Sequence, residues 1–429
     1  MKIRSFLFLP FFLSTLILVS NHEMIFGQYR ENEFTDGGGK PYFFDNSIDV
    51  ELVADGLELP TNIAFLAPND FLVLEKDKGT VQRIVDGKIM EKPLLDVNVA
   101  TYVERCMCGI AVSKNELTTY VFLYFTEIDG NDGSDRDGKN EPIGNRIYRY
   151  ELINNELVNP VLLLDLPSKP GPRHNGGAIT IGPDNNLYIP IGDVDGTYQD
   201  DDVDTLAQNN EDGKKPDGRA GILRITQDGD PVGNGILGDE YPTNLYYAYG
   251  IRNSFGIGFD PISGYLWDTE NGPGNSDEIN LVEPGFNSGW QPIMGMSSSK
   301  DDFEEDELFD FDGKGIYSDP ELVWINTSGP TAITFMNSDV YGQEYKNDMF
   351  VSDVHFGYIY HFDLTEDRKE LVLKNQLANK IIKGPKAPGI EQIIFAKNFG
   401  GITDIEISPD GYLYVASIAH GKIFKIVPK

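Results

Sequence analysis

Apolar and polar positions alternate over short runs along this chain, and one short pattern returns six times. It consists of an isoleucine, any residue, then a large apolar residue. The copies are Ile63-Ala64-Phe65, Ile110-Ala111-Val112, Ile179-Thr180-Ile181, Ile257-Gly258-Phe259, Ile333-Thr334-Phe335 and Ile405-Glu406-Ile407. Their leading isoleucines lie 47, 69, 78, 76 and 72 residues apart. Each copy runs into a turn ("APND", "SKNE", "GPDNN", "DPISG", "MNSD", "SPDG") and then a second apolar strand ("FLVLE", "YVFLYF", "NLYIPI", "YLWDTE", "DMFVSD", "YLYVAS"). A third strand closes each unit: "GTVQRI", "NRIYRY", "GILRI", "DEINLV", "GYIYHF", "KIFKI". Period-2 runs between turn residues predict strands. Repetition of a three- to four-strand unit predicts a β-propeller.

Six units predict an all-β, six-bladed propeller. Only 22 residues follow Ile407, enough for two more strands. The extended segment Ile48–Asp55 precedes the first copy and can supply the missing outer strand of the last blade, which would leave no open edge there. The expected organisation is a propeller over residues 45–429 and a polar linker over 28–44. Residues 1–27 read as a signal peptide or a retained anchor. In that leader Lys2 and Arg4 precede an apolar run from Phe6 to Val19. The run is short for a membrane span and has the form of an export signal. The expected location is therefore extracellular, at the cell surface or in a periplasm-like space, with no membrane span in the mature chain.

Charge narrows the partners. The chain carries 35 Lys+Arg against 68 Asp+Glu, a formal net charge of −33. Nucleic-acid binding needs a basic face, so that class is excluded. Two acidic loops, Asp129 to Gly138 and Asp200 to Asp204, read as solvated segments. The run from Lys300 to Gly313 reads as an insertion between the fourth and fifth blades. The two cysteines, Cys106 and Cys108, read as small buried apolar residues. Two apart on a strand, they lie near the Cα separation limit of a disulfide.

Propeller topology then sorts the polar residues. Loops entering the innermost strands and loops leaving the second strands share one face. That face collects "ERCMC", "RHNGG", "GIRNSFG", "GDVDG", "TENGPGNSDE", "SDVHFG" and "SIAHG". It holds His174, His355 and His420, with Arg105, Arg173, Arg252, Asp193, Asp195 and Glu270. Polar groups converging on one depression predict a ligand site.

At these loops the chain resembles the glucose/sorbosone dehydrogenase family, whose members are six-bladed propellers that use pyrroloquinoline quinone and calcium. The resemblance covers most of the chain from Ile48 onward. It rests on "RHNGG", "GIRNSFG", "TENGPGNSDEIN", "GFNSGW" and "SPDGYLYVAS". It implies that His174 is the general base for hydride removal from a sugar, a task that suits imidazole. It implies that Arg252 acts on the reacting oxygen and that Arg105, Arg173, Asn253, His355 and Thr403 line the cofactor. Backbone carbonyls of Gly272 and Pro273, with Glu270, would hold calcium. Gly176 and Gly177 would leave clearance for a flat cofactor.

The chain departs from the family where two arginines are expected in the loop entering the last blade. Gly401 and Thr403 stand there. His355 takes the place of a lysine, and Ser254 and Phe255 follow Arg-Asn where a glutamine is common. Three functions are therefore carried forward. One is an exported aldose or polyol dehydrogenase with a small-molecule sugar substrate and a separate electron acceptor. Another is a non-catalytic propeller that binds carbohydrate or protein. The last is a calcium-dependent lactonase built on Asp193, Glu270 and Asp353.

Overall fold

The second strand of a blade is buried on both faces where it is sandwiched between neighbouring blades. In the computed structural model, which describes residues 40–130, 142–195, 206 and 216–429, Leu187–Ile191, Leu266–Glu270, Met349–Asp353 and Leu413–Ser417 are buried at every position. The outer strand Ile48–Asp55 instead alternates buried and exposed positions.

Among the described residues the strands form six sheets. Their innermost strands are Pro60–Ala67, Met107–Lys114, Thr180–Ile181, Ser254–Phe259, Pro330–Phe335 and Ile402–Ile407, one from each predicted unit. Second and third strands follow by antiparallel pairing, as in Leu266–Glu270 against Asp277–Val282. The last sheet closes as expected. Ile48–Asp55 pairs antiparallel with Lys422–Pro428, Ile48 opposite Pro428 and Asp55 opposite Lys422.

Six apolar clusters fill the six gaps between sheets. Each leading isoleucine belongs to a different one. Ile63 packs with Phe71, Tyr414 and Ile423 between the last and first sheets. Ile110 packs with Leu123, Ile179 with Ile189, Ile257 with Tyr247, Ile333 with Trp267 and Ile405 with Phe350. The recurring isoleucine is thus the residue that each innermost strand inserts against the preceding blade, and the ring of cores is continuous. This is a propeller.

Threonines at one level of the innermost strands tie blades together. Thr61 Oγ1 donates to Met107 O at 2.9 Å, Thr331 Oγ1 to Ile402 O at 2.8 Å and Thr403 Oγ1 to Pro60 O at 2.8 Å.

Several expectations change. The paired chain begins before residue 45, since Tyr42–Phe43 pairs with Ile394–Lys397 on the fifth sheet. The acidic insertion lies within the fourth blade, between its third strand Asp277–Val282 and its outer strand Leu322–Trp324. Its flanks, Phe286–Asn287 and Ile316–Tyr317, extend the third sheet. It is held there by Phe311, whose ring centroid lies 5.0 Å from that of Tyr249 and which joins the core of the third blade. Cys106 and Cys108 form a disulfide, with Cα atoms 5.1 Å apart, instead of remaining separate thiols. Among the described residues no helix is long and apolar enough to cross a membrane. The leader 1–27 and the two acidic loops at 131–138 and 200–204 lie outside the described residues.

Candidate active site

The turn Arg173 to Gly177 sits at the mouth of the third blade with His174 almost fully buried. His174 adopts φ +58°, a left-handed conformation. For a residue with a Cβ this costs on the order of 1–2 kcal/mol, so neighbours must enforce it. They do so at the backbone and at the ring. The His174 N–H donates to Glu104 Oε2 at 2.6 Å. Its Nδ1 lies 2.5 Å from Asp193 Oδ1. Asp193 lies two residues past the fully buried second strand Leu187–Ile191, and its other oxygen accepts the Trp290 indole N–H at 2.9 Å.

Burial pushes the Asp193 carboxyl up, but His174, the Trp290 N–H and the Arg252 charge outweigh it and hold the group below its ordinary value. An ionised Asp193 can only accept, so His174 Nδ1 carries the hydrogen. The ring's basic atom is then Nε2. Two observations place Arg252 in the same assembly. Its guanidinium stands 5.4 Å from the Trp290 ring centroid, and its carbonyl accepts the Asp193 N–H at 3.0 Å. Arg252 Nη1 also donates to Asn271 O at 2.5 Å. Asn253 is buried alongside, and among the described residues its Oδ1 has no hydrogen-bond partner.

Cations extend this assembly toward the first blade. Lys76 Nζ donates to Arg105 O at 3.1 Å. Arg173 is partly exposed, its backbone N–H on Asp195 Oδ2 at 3.0 Å. His355 is half-buried on the fifth blade, Nδ1 3.3 Å from Thr327 O. Lys76 was not among the residues that the sequence singled out. Trp290 was not either, although "GFNSGW" was part of the resemblance.

Other expected site residues are engaged with the protein itself. The Thr403 hydroxyl is committed to Pro60 O in the clasp between the last and first blades. Arg105 turns its guanidinium inward, donating from Nη2 to Ser168 O at 3.1 Å. Glu270 is not presented as a metal ligand. Its carboxylate is wholly buried, accepting Arg252 N–H at 2.6 Å and Ser288 O–H at 2.6 Å. Burial, then Glu278 and Asp268 nearby, push its carboxyl well up. The two glycines clear space for neighbouring protein atoms. A Cβ on Gly176 would stand 2.3 Å from Pro190 O, and one on Gly177 would stand 2.6 Å from Cys108 Cβ.

The Gly272–Pro273 loop is open to solvent, with Gly272 O accepting Gly274 N–H at 2.9 Å. The carboxylate set for a lactonase does not assemble. Asp193 and Glu270 are engaged as above, and Asp353 is held by Phe356 N–H at 2.6 Å and Tyr360 O–H at 2.8 Å. Among the described residues, the group of three metal-ligating side chains that comes within 4.8 Å is Asp348, His361 and Asp363, none of them in that set.

The glucose/sorbosone dehydrogenase family model matches residues 57–425. Aldose sugar dehydrogenase YliI of Escherichia coli (strain K12) is 23% identical over 391 residues, covering 89% of this chain and 94% of that protein. Quinoprotein glucose dehydrogenase B of Acinetobacter calcoaceticus is 34% identical over 183 residues, 39% of this chain and 35% of that one. In fold, the chain is similar to the pyrroloquinoline-quinone-bound aldose sugar dehydrogenase of Streptomyces coelicolor, with TM-score 0.63 and 22% identity over 91% of this chain and all of that one. The apo form of the Escherichia coli aldose sugar dehydrogenase gives TM-score 0.65 at 19% identity, covering 89% of this chain and all of that one. A match that spans nearly all of the paired chain, with the histidine, arginine and indole of its signature loops joined in one assembly, means that the protein belongs to the glucose/sorbosone dehydrogenase family.

Proposed function

We propose that this six-bladed propeller is an aldose or polyol dehydrogenase, and that it passes a hydride from the sugar to pyrroloquinoline quinone with calcium. The observation that carries this reading is the buried His174–Asp193–Trp290 chain of hydrogen bonds beneath Arg252. The donor set suits an anionic planar ligand. Arg173, Arg252 and Lys76 supply charge, and the unpartnered Asn253 Oδ1 awaits a donor. The Gly272 and Pro273 carbonyls are the oxygen ligands that a hard cation prefers.

When bound, the quinone supplies a hydride acceptor and calcium supplies Lewis acidity. The chain's own residues handle the proton. Asp193 holds the Nδ1–H tautomer, so His174 Nε2 takes the hydroxyl proton of the sugar. The imidazolium so formed is stabilised by the carboxylate behind it. Arg252, stacked on Trp290, holds positive charge where the sugar oxygen becomes negative.

A second reading, a non-catalytic carbohydrate-binding propeller, is favoured by one feature. The loop entering the last blade offers Gly401 and Thr403 where a carboxylate-rich cofactor would meet cations, and the Thr403 hydroxyl is already engaged. Export of the mature chain is supported by the charged and apolar leader, and N-terminal sequencing of protein recovered outside the cytoplasm tests it.

Calorimetry with pyrroloquinoline quinone, with and without calcium, separates the two readings. Calcium-dependent binding is expected, together with dye-linked aldose oxidation that His174→Ala lowers about 100-fold or more. Absence of binding at about 100 μM cofactor, a level equivalent to about −5.5 kcal/mol, would leave the non-catalytic reading.

A further inference from the structure

The turn that carries His174 is held from the second blade at several points. Glu104 Oε2 accepts the His174 N–H at 2.6 Å, and the Glu104 N–H reaches Pro172 O at 3.3 Å. Tyr124 O–H donates to Asn175 O. Asn145 Nδ2 donates to Asn175 Oδ1 at 2.9 Å. Glu104 also opens the segment that the Cys106–Cys108 disulfide ties into a small ring.

That ring is itself packed onto the turn. Cys108 Sγ lies 3.9 Å from the Glu104 carbonyl. Gly177 presses so closely on Cys108 that a Cβ there would meet Cys108 Cβ at 2.6 Å, and a Cβ on Gly109 would fall 1.7 Å from Gly177 O. Both cysteines are buried. One short cross-linked segment therefore touches the backbone before and after His174. It reaches the first blade too, through Met107 N–H to Lys76 O at 3.1 Å.

We propose that the Cys106–Cys108 disulfide and Glu104 form one clamp on His174, with Glu104 as a positioning residue for the proton transfer. The proton-transfer part rests on the reading of His174 as the base. The clamp part rests on the contacts alone. Glu104 acts through the backbone of His174, not on the sugar. A cross-link two residues long restricts the conformations open to Glu104. Reduction removes that restriction: a dithiol delivers two electrons and two protons, the S–S bond becomes two thiols, and the dithiol becomes its own disulfide. The site is thereby sensitive to the redox state of a bond that takes no part in the sugar chemistry.

The test compares wild type, wild type treated with a dithiol, Cys106→Ser/Cys108→Ser, Glu104→Ala and Glu104→Gln, each checked for folding by thermal melting. Hydrogen exchange of the 173–178 segment, followed by mass spectrometry, reads the clamp without any cofactor. Exchange at least tenfold faster is expected in Glu104→Ala and in both disulfide-free forms. Glu104→Gln should retain protection, because its side-chain carbonyl still accepts the His174 N–H. In cofactor-loaded protein, kcat for aldose oxidation should fall about 10- to 100-fold with KM changed less than about twofold, the signature of a misplaced catalytic group. Unchanged exchange and unchanged kcat in the disulfide-free forms would overturn the clamp. Faster exchange in a protein whose wild type oxidises no aldose would keep the clamp and remove the base assignment. Should the double serine variant fail to fold, the dithiol-treated wild type and the two Glu104 variants decide the matter.

Discussion

Thr403→Val separates the sequence reading of that residue from the structural one. The substitution keeps the branched shape and deletes the hydroxyl. In the structure that hydroxyl is buried and donates to Pro60 O at 2.8 Å, with Ala416 O at 3.5 Å as a marginal second acceptor. Losing one such bond costs about 0.5–1.5 kcal/mol, and an acceptor left buried raises the total to about 1–3 kcal/mol. Thr61 and Thr331 make the corresponding bonds across two other interfaces and share no hydrogen-bond partner with Thr403. If the three costs add, the triple valine variant should lose about 3–9 kcal/mol. Urea unfolding, followed by intrinsic fluorescence, measures the change in midpoint and slope. Pyrroloquinoline quinone affinity, measured by calorimetry on the same preparations, should stay within about twofold of wild type. The reasoning is refuted if Thr403→Val leaves the urea midpoint unmoved and weakens cofactor binding tenfold, about 1.4 kcal/mol. The hydroxyl would then be aimed at the ligand.

Asp193→Asn should lower kcat on the order of 100-fold or more, because the amide no longer enforces the Nδ1–H tautomer. Steady-state aldose oxidation reads this, and a kcat within threefold of wild type would rule out the relay. Burial pushes the Asp404 carboxyl up to about 7 from its ordinary 3.8. The unfolded chain sheds that proton first, so the contribution of this group to stability is full at low pH. It is lost as pH rises from about 4 through about 7, by at most about 1.4 kcal/mol per pH unit. Asp404→Asn keeps an acceptor for Ile63 N–H and should flatten that part of a stability–pH curve; an unchanged slope would contradict the assignment. Phe311→Ala removes the aromatic anchor of the insertion on Tyr249. A local cost of about 3 kcal/mol should make residues 300–313 the first site of limited proteolysis, and an unchanged digestion pattern would count against that anchoring.

The ring was legible because its repeating unit leaves a periodic trace. Each blade must insert one β-branched residue against the preceding blade, and the six isoleucines record it. The turn at His174 was legible because an imidazole, an amide and two glycines crowd into a few positions. Its meaning was only half visible. Asp193 follows 19 residues later, just past the second strand of the blade, and Trp290 reaches Asp193 from 97 residues away. No spacing rule joins such residues until the blades are placed.

The readings of Thr403, Glu270 and Gly176 share one ambiguity. A threonine hydroxyl, a buried glutamate and a glycine each serve a ligand or the fold equally well as letters. Only the atom opposite decides, and for Thr403, Glu270 and Gly176 that atom belongs to the protein. The insertion was misplaced because its acidic surface hid Phe309 and Phe311, which belong with the third sheet. The cysteine pair was misread because the short bridge depends on the turn that brings Cys106 and Cys108 onto one side.

The closure of the last blade sets an order of events during synthesis. Ile48–Asp55 leaves the ribosome before all six blades are made, and its partner Lys422–Pro428 follows them. At about 10 residues per second the early strand waits roughly half a minute for its mate. Until then the first blade presents Ile63, Phe71 and Val73 without the Tyr414 and Ile423 that cover them in the finished ring. Pairing between the two ends of a chain has the highest loop-closure cost in the fold and makes it slow. Nascent chains crowded on one message therefore hold the means to close each other's rings, Ile48–Asp55 of one copy seating on Lys422–Pro428 of the next. The strand that completes the monomer is also the element through which two copies would exchange.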